Sequence, residues 1–315
     1  MGVRTGLSTP APEAALGNML RTRTRPDWFS FRRFAAFTTA STALLMMLGI
    51  YTAATGSGLA CSAQWPLCDN GLLPQTVPSF IEWFHRLVAM VIGFQILGTA
   101  AWAWKRNSKR SVKLSTTLAL VVLPLQVSIG AVTVTLSGLV PNGYSVPTQA
   151  AHFVVALTIF GALTYGTLRA YDGHFRRSAL ERVNLALPAA LALVGVAALL
   201  SRVWGVFSYG STVQPLFVGS MLVTIATLVA ALVWTTQASA TQASLSRLRP
   251  LLVTALGLLV LIALLGRDLV AYTPLVRDIN ALLFGLTALV VAAATWLARR
   301  VNTAEQATTH GVSGD

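Results

Sequence analysis

The stretch FIEWFHRLVAMVIGFQILGTAAWAW, residues 80–104, decides the fold class. It holds the roughly 20 mostly apolar residues that a helix needs to cross a hydrocarbon core, yet near its start it carries Glu82, His85 and Arg86. Backbone N–H and C=O groups find no water in lipid, so a span of this length must satisfy them internally as a helix. Seven further apolar runs share its length scale, at approximately 34–54, 114–136, 149–170, 183–206, 213–235, 250–266 and 278–298. With mean hydropathy +0.67 and only 10% charged residues, the chain reads as an all-α, polytopic membrane protein of eight transmembrane helices.

Lys and Arg set the orientation, because cytoplasmic loops hold them in excess. Of the 23 basic residues, all but Arg86, Arg202, Arg267 and Arg277 fall before the first run, in the connections after the even-numbered runs, or after the last. Both termini are therefore expected in the cytoplasm and the protein in the plasma membrane. The net charge of +13 follows from this asymmetry and from anionic lipid headgroups, and it gives no reason to invoke nucleic acid. Residues 1–30, rich in Thr, Pro and Arg and without hydrophobic periodicity, are expected as a disordered cytoplasmic tail. The first apolar run is too long for the core of a signal peptide. Gly58-Leu59-Ala60-Cys61 is only a weak match to a lipoprotein cleavage site.

Cys61 and Cys68 are the only cysteines and fall in one connection on the outer, oxidising side, where a disulfide is the simplest reading. The surrounding loop is dense in turn formers, and Trp65 suits the headgroup level. Such a bridge either staples the loop or has a redox role. Two cysteines are too few for a zinc site.

His85 and His152 lie at similar depth, a few residues inside runs two and four, which both pass from outside to inside. An ionisable group in a span is rare and marks a cofactor site, an ion path or a buried pair. Parallel helices could bring the two imidazoles to one haem iron; alternatively, each is a core histidine bonded to a neighbouring helix. Glu82 shares a helical face with His85. It is the best candidate for catalysis, stabilising developing positive charge, orienting water or moving protons; the alternative is an ion pair with Arg86. Arg86 is in turn a candidate for a haem propionate, as are Arg202 and Arg267.

The run Gly56 to Cys61, then Trp65-Pro66-Leu67-Cys68 and Ile81-Glu82-Trp83-Phe84-His85-Arg86-Leu87, resembles the first half of haem A synthases. So do Leu125-Gln126-Val127-Ser128-Ile129-Gly130-Ala131-Val132-Thr133-Val134, Ser137-Gly138-Leu139-Val140-Pro141 and the histidine of the fourth run. The similarity covers roughly residues 34–170. It implies two pseudosymmetric four-helix bundles, here 31–172 and 173–300, with a C-terminal cytoplasmic tail at 301–315. It further implies that His85 and His152 bind haem O and that its C8 methyl is oxidised to the formyl of haem A by successive hydroxylations. The implied partners are haem O, an electron donor, haem O synthase, terminal oxidase assembly and membrane lipid, with a homo-oligomer left open.

The second half departs from that pattern. The resemblance implies histidines in runs six and eight as ligands of a haem b, and neither is there. Asn280 stands where one is expected, and run six offers Gln214 and Phe217. An amide oxygen is a poor iron ligand beside imidazole, so haem b is expected to be absent and this half to serve as a packing scaffold. Three functions follow from the residues: a haem A synthase, a non-catalytic haem or electron-transfer protein of the same fold, and a proton-coupled transporter. The last lacks the broken helices expected at a transporter's site.

Overall fold

The computed structural model describes residues 29–61, 64–65, 67–135, 145–237, 245–267 and 271–311. The tail expected over 1–30 lies outside these residues except for its last two positions, as do Pro66 and the run Ser137 to Pro141. The described residues are helical without a strand. The elements are α1 (Phe31–Ala54), a short 3-10 turn (Ser57–Leu59), α2 (Val77–Lys105), α3 (Arg110–Thr135), α4 (Val146–Ala170), α5 (Ala179–Leu200), α6 (Val213–Trp234), α7 (Leu248–Leu265) and α8 (Pro274–Gly311). All eight helices are long and apolar enough to cross a membrane, and the chain is a multi-pass membrane protein.

Most helices begin three or four residues before the apolar runs. The reason is capping. Thr76 accepts from the Ser79 amide and Pro78 lies in the first turn of α2; Pro147 does the same for α4. Ser178 and Glu181 form a reciprocal capping box for α5. Such residues satisfy the free N–H groups of a first turn, and hydropathy alone does not register them. At its other end α5 stops at Leu200 rather than 206, because Ser201 folds back onto the Ala198 carbonyl through both its amide and its hydroxyl. Trp204, Val206 and Phe207 are left exposed beyond it. The residues expected as a C-terminal tail continue α8 to Gly311.

Packing follows two rings. In the first, α1 touches α2, α2 touches α3, α3 touches α4 and α4 returns to α1; the second repeats this order with α5 to α8. The rings meet through α6, which packs on α1 and α4. Of its most apolar window 61% is buried, against 11% for α3, which makes α6 the shared wall of the molecule.

The first four helices are pinned together toward the ends away from the disulfide loop. Thr38 and Thr99 hydroxyls join α1 to α2 at 3.0 Å, Thr39 and Thr167 join α1 to α4 at 2.9 Å, and the Trp104 indole donates to Thr117 across α2 and α3. Each side chain that finds a partner in lipid contributes about 0.6 kcal/mol. Ile92, Ile96, Ala119, Ile159 and Leu163 form a closed apolar cluster there. The histidines sit beyond it, toward the starts of α2 and α4.

Candidate functional site

His85 lies eight positions after the start of α2 and His152 six after the start of α4. At 1.5 Å per residue they sit about 12 and 9 Å along parallel helices. These helices stand on the diagonal of the first ring, not side by side. The two imidazoles lie within electrostatic reach of each other.

Each ring packs against a glycine of the next helix. A methyl group built on Gly49 of α1 would come within 3.1 Å of His85 Cε1, and one on Gly130 of α3 within 3.1 Å of His152 Cε1. Absence of a Cβ is what lets an imidazole lie on a helix backbone at this distance. The two contacts are equivalent, so the first ring presents its histidines in a repeated setting. Both Nδ1 atoms are buried without a hydrogen-bond partner, a cost that a buried polar atom does not bear without cause. His152 Nε2 is 3.0 Å from the Gln126 side-chain nitrogen. An open depression of about 360 Å³ lined by Ser128, Ile129, Val132, Pro147, Thr148 and Ala151 lies between α3 and α4.

Glu82 points elsewhere. It is 3% exposed; one carboxylate oxygen accepts from the Cys61 amide at 2.8 Å and the other from the Arg86 guanidinium. Arg86 also donates to the carbonyls of Gln64 and Leu67, at 2.9 and 3.0 Å. Cys61 and Cys68 form a disulfide, and both are fully buried. Ser79 completes the attachment by donating to Asp69. Ser79, Glu82 and Arg86 recur at helical spacing along one face of α2 and hold the disulfide loop, while the neighbouring face carries His85. The structure therefore brings Glu82, Arg86 and the cysteine pair together. His85 and His152 form a second group beside them.

Two contributors were not visible as such in the sequence, nor was the reach of a third, Arg267. Gly49 and Gly130 are ordinary span glycines until the helices are packed. Arg267, at the end of α7, reaches across from the second ring and stacks its guanidinium 4.8 Å over Phe153, next to His152. It is 8% exposed, burial pushes its pKa down to about 10, and its charge is felt at His152. It remains a cation at neutral pH. Among the described residues no carboxylate pairs with it, and no cluster of three or more His, Cys, Asp or Glu residues could hold a metal ion.

At the starts of α6 and α8 the second ring is held by ring stacking and hydrogen bonds. Arg202 stacks on Tyr272 and Tyr209, at 4.5 and 5.3 Å. The Tyr209 hydroxyl donates to the Gly266 carbonyl at 2.7 Å, and Phe217, wholly buried, meets the Tyr209 ring edge-on. Gln214 is buried with its amide near the Tyr209 carbonyl. Asn280 is also wholly buried, 3.5 Å from the Tyr272 hydroxyl. Asn280 lies six positions after the start of α8, the offset that His152 has in α4.

The fold and the site together define a multi-pass membrane protein whose first four helices frame two diagonal, glycine-backed imidazoles. Residues 75–213 match the family COX15-CtaA, described as cytochrome oxidase assembly protein, and this match overlaps the resemblance to haem A synthases over residues 75–170. The chain is 33% identical over 137 residues to a protein named Heme A synthase from Bacillus licheniformis, an alignment covering 43% of each chain. It is 31% identical over 147 residues to the Heme A synthase of Bacillus pumilus, covering 46% of each. A Protoheme IX farnesyltransferase of Halobacterium salinarum is 33% identical over 120 residues, 38% of this chain and 26% of that one. The chain thus spans less than half the length of these relatives.

Proposed function

We propose that this protein is a haem A synthase that oxidises the C8 methyl of haem O to the formyl group of haem A. The observation that carries the reading is the imidazole pair. His85 and His152 sit at one depth on the diagonal of a four-helix ring, each on a glycine and each with a buried ring nitrogen lacking a partner. A haem fits this donor set: neutral imidazoles are its common axial ligands. When bound, haem supplies the redox chemistry, and the protein supplies position and electrostatics.

The chain's own residues divide that work. Gly49 and Gly130 fix the planes of the rings, and Gln126 orients His152. The depression beside Ala151 offers an apolar seat for a hydrophobic substituent of the substrate. Arg202, Arg267 and Arg277 are the cations on this side from the second ring; Arg277 is paired with Asp278, and Arg267 is the one at His152 that suits a carboxylate of the substrate. Arg86 is committed to the disulfide loop, which weakens its assignment to a propionate. Glu82, clamped by two donors, acts by fixed charge near the reacting periphery rather than as a mobile proton carrier. The Cys61–Cys68 bridge holds the loop over the site.

The second half serves as a scaffold without a haem b, because Gln214, Phe217 and Asn280 are buried in protein and none of them is an imidazole. The same observation favours a second reading, a haem-binding or electron-transfer protein without hydroxylase activity. In the first reading electrons come from an unidentified donor to the first-ring site. The division at 31–172 and 173–300, a plasma-membrane location and cytoplasmic termini belong to this proposal. So do supply of haem O by a haem O synthase, delivery to terminal oxidase assembly and a homo-oligomeric state. Similarity to a chain named for farnesyl transfer to protohaem supports a place in that sequence.

Pigment extraction after expression with a haem O source tests both readings. A formyl-bearing haem supports the synthase, unmodified bound haem supports the carrier, and a colourless protein rejects both.

A further inference from the structure

The opposite face of the first ring carries a pocket that the haem reading does not use. It has a volume of about 310 Å³ and lies where the start of α1, the α2–α3 turn and the end of α4 converge. Arg32, Arg106, Lys109 and Arg169 line it, each from a different part of these elements, together with His174. Its one acid is Asp172, which is already engaged: one oxygen faces Lys109 and Arg169 at 3.4 and 3.3 Å, and the other accepts from Gln237 at 2.6 Å. Four cations against one committed carboxylate leave a strong excess of positive charge. The Ser30 hydroxyl, also lining the pocket, is buried with no hydrogen-bond partner. Phe31, Val112 and Ala170 add an apolar wall.

Excess Lys and Arg on one side of a membrane protein needs no ligand to explain it. Convergence of four such residues on a concave site, with an unused donor inside it, is not explained by that rule. Water fills about 30 Å³ per molecule, so the pocket has room for about ten waters, more than a small anion displaces.

We propose that this pocket binds a phosphate group, either in the phosphodiester headgroup of an anionic lipid or as free inorganic phosphate. Arg32 and Arg106 are its principal donors, since Lys109 and Arg169 share Asp172. The proposal is independent of the haem site and stands if that reading fails.

The test uses the full chain in nanodiscs of phosphatidylcholine. Dansyl-labelled phosphatidylglycerol is titrated in and energy transfer from tryptophan is read. Competition by inorganic phosphate is measured against chloride at equal ionic strength. Loss of a charge-assisted bond should weaken apparent binding at least about tenfold in Arg32→Gln and in Arg106→Gln. Lys105→Gln and Arg176→Gln remove the same charge outside the pocket and should change it by less than about threefold, the smaller effect of a screened surface charge. Unchanged thermal midpoints of the pocket variants in phosphatidylcholine alone show that they fold. Lipid binding without phosphate competition identifies the headgroup as the source, and competition by phosphate identifies a site for the free ion. Equal loss in pocket and control variants, or no saturable binding of either probe, overturns the proposal.

Discussion

Replacing Gly130 by Ala, and separately Gly49 by Ala, tests the geometry on which the haem reading rests. In each case the new methyl carbon would stand 3.1 Å from an imidazole Cε1, where carbon atoms prefer about 3.5–4.0 Å. The ring must therefore retreat by about 0.4–0.9 Å, comparable to the roughly 0.5 Å tolerance of a built binding site. Overpacking of this kind costs about 1–3 kcal/mol. Set against a ligand that needs both rings in place, that is a loss of about 5- to 150-fold in haem affinity. The assay is haem titration of purified protein followed by its absorption band, with pyridine haemochrome for stoichiometry. Gly161→Ala is the control: the added carbon meets nothing within 4 Å, and relief of glycine flexibility should leave the protein equally or slightly more stable. If Gly49→Ala and Gly130→Ala bind haem with the affinity and spectrum of the parent, the imidazoles do not hold the iron from these positions.

Glu82→Ala leaves the Arg86 guanidinium without its carboxylate in a largely buried setting and frees the Cys61 amide; loss of a buried pair costs about 3–5 kcal/mol. Haem should still bind while formyl production stops, as read from extracted pigment. The double substitution of Cys61 and Cys68 by Ser removes a bridge closing a short loop, worth about 2.5 kcal/mol in the chain-entropy account. Chemical or thermal unfolding should show that loss, and an unchanged midpoint would mean that Ser79, Glu82 and Arg86 hold the loop without the bridge. Phe217→Ala empties a wholly buried position in α6 and should cost about 3–5 kcal/mol in stability without changing the haem-to-protein ratio. A fall in that ratio at unchanged stability would show a ligand in the second ring.

The eight spans were legible because length and apolarity are one-dimensional properties. Their first turns were not, because Thr76, Ser178 and Pro147 act through local hydrogen bonding and backbone geometry rather than hydropathy. Depth and charge asymmetry were enough to single out His85 and His152. What they could not supply was the partner surface: Gly49 and Gly130 acquire meaning only when α1 and α3 are laid against the rings. Glu82 and Arg86 show a different limit. Their spacing allowed an ion pair and a catalytic role alike, and only the folded loop, bringing the Cys61 amide and two carbonyls to the end of α2, revealed how many of their bonds are already made. Arg267 was placed on the outer side by the sequence, but its reach into the first ring depends on how α7 ends beside α4.

The shared wall formed by α6 has an evolutionary corollary. Gly219 on α6 gives way to Met47 of α1, and Arg267 covers Phe153 of α4, so the first ring borrows part of its enclosure from the second. A lineage can exchange buried residues of the second ring, such as Phe217 and Asn280, one at a time as long as the ring stays packed. It cannot discard the ring itself, since cutting the chain after α4 would strip one side of the first-ring site. The identity of single side chains is expendable here; architectural dependence is not.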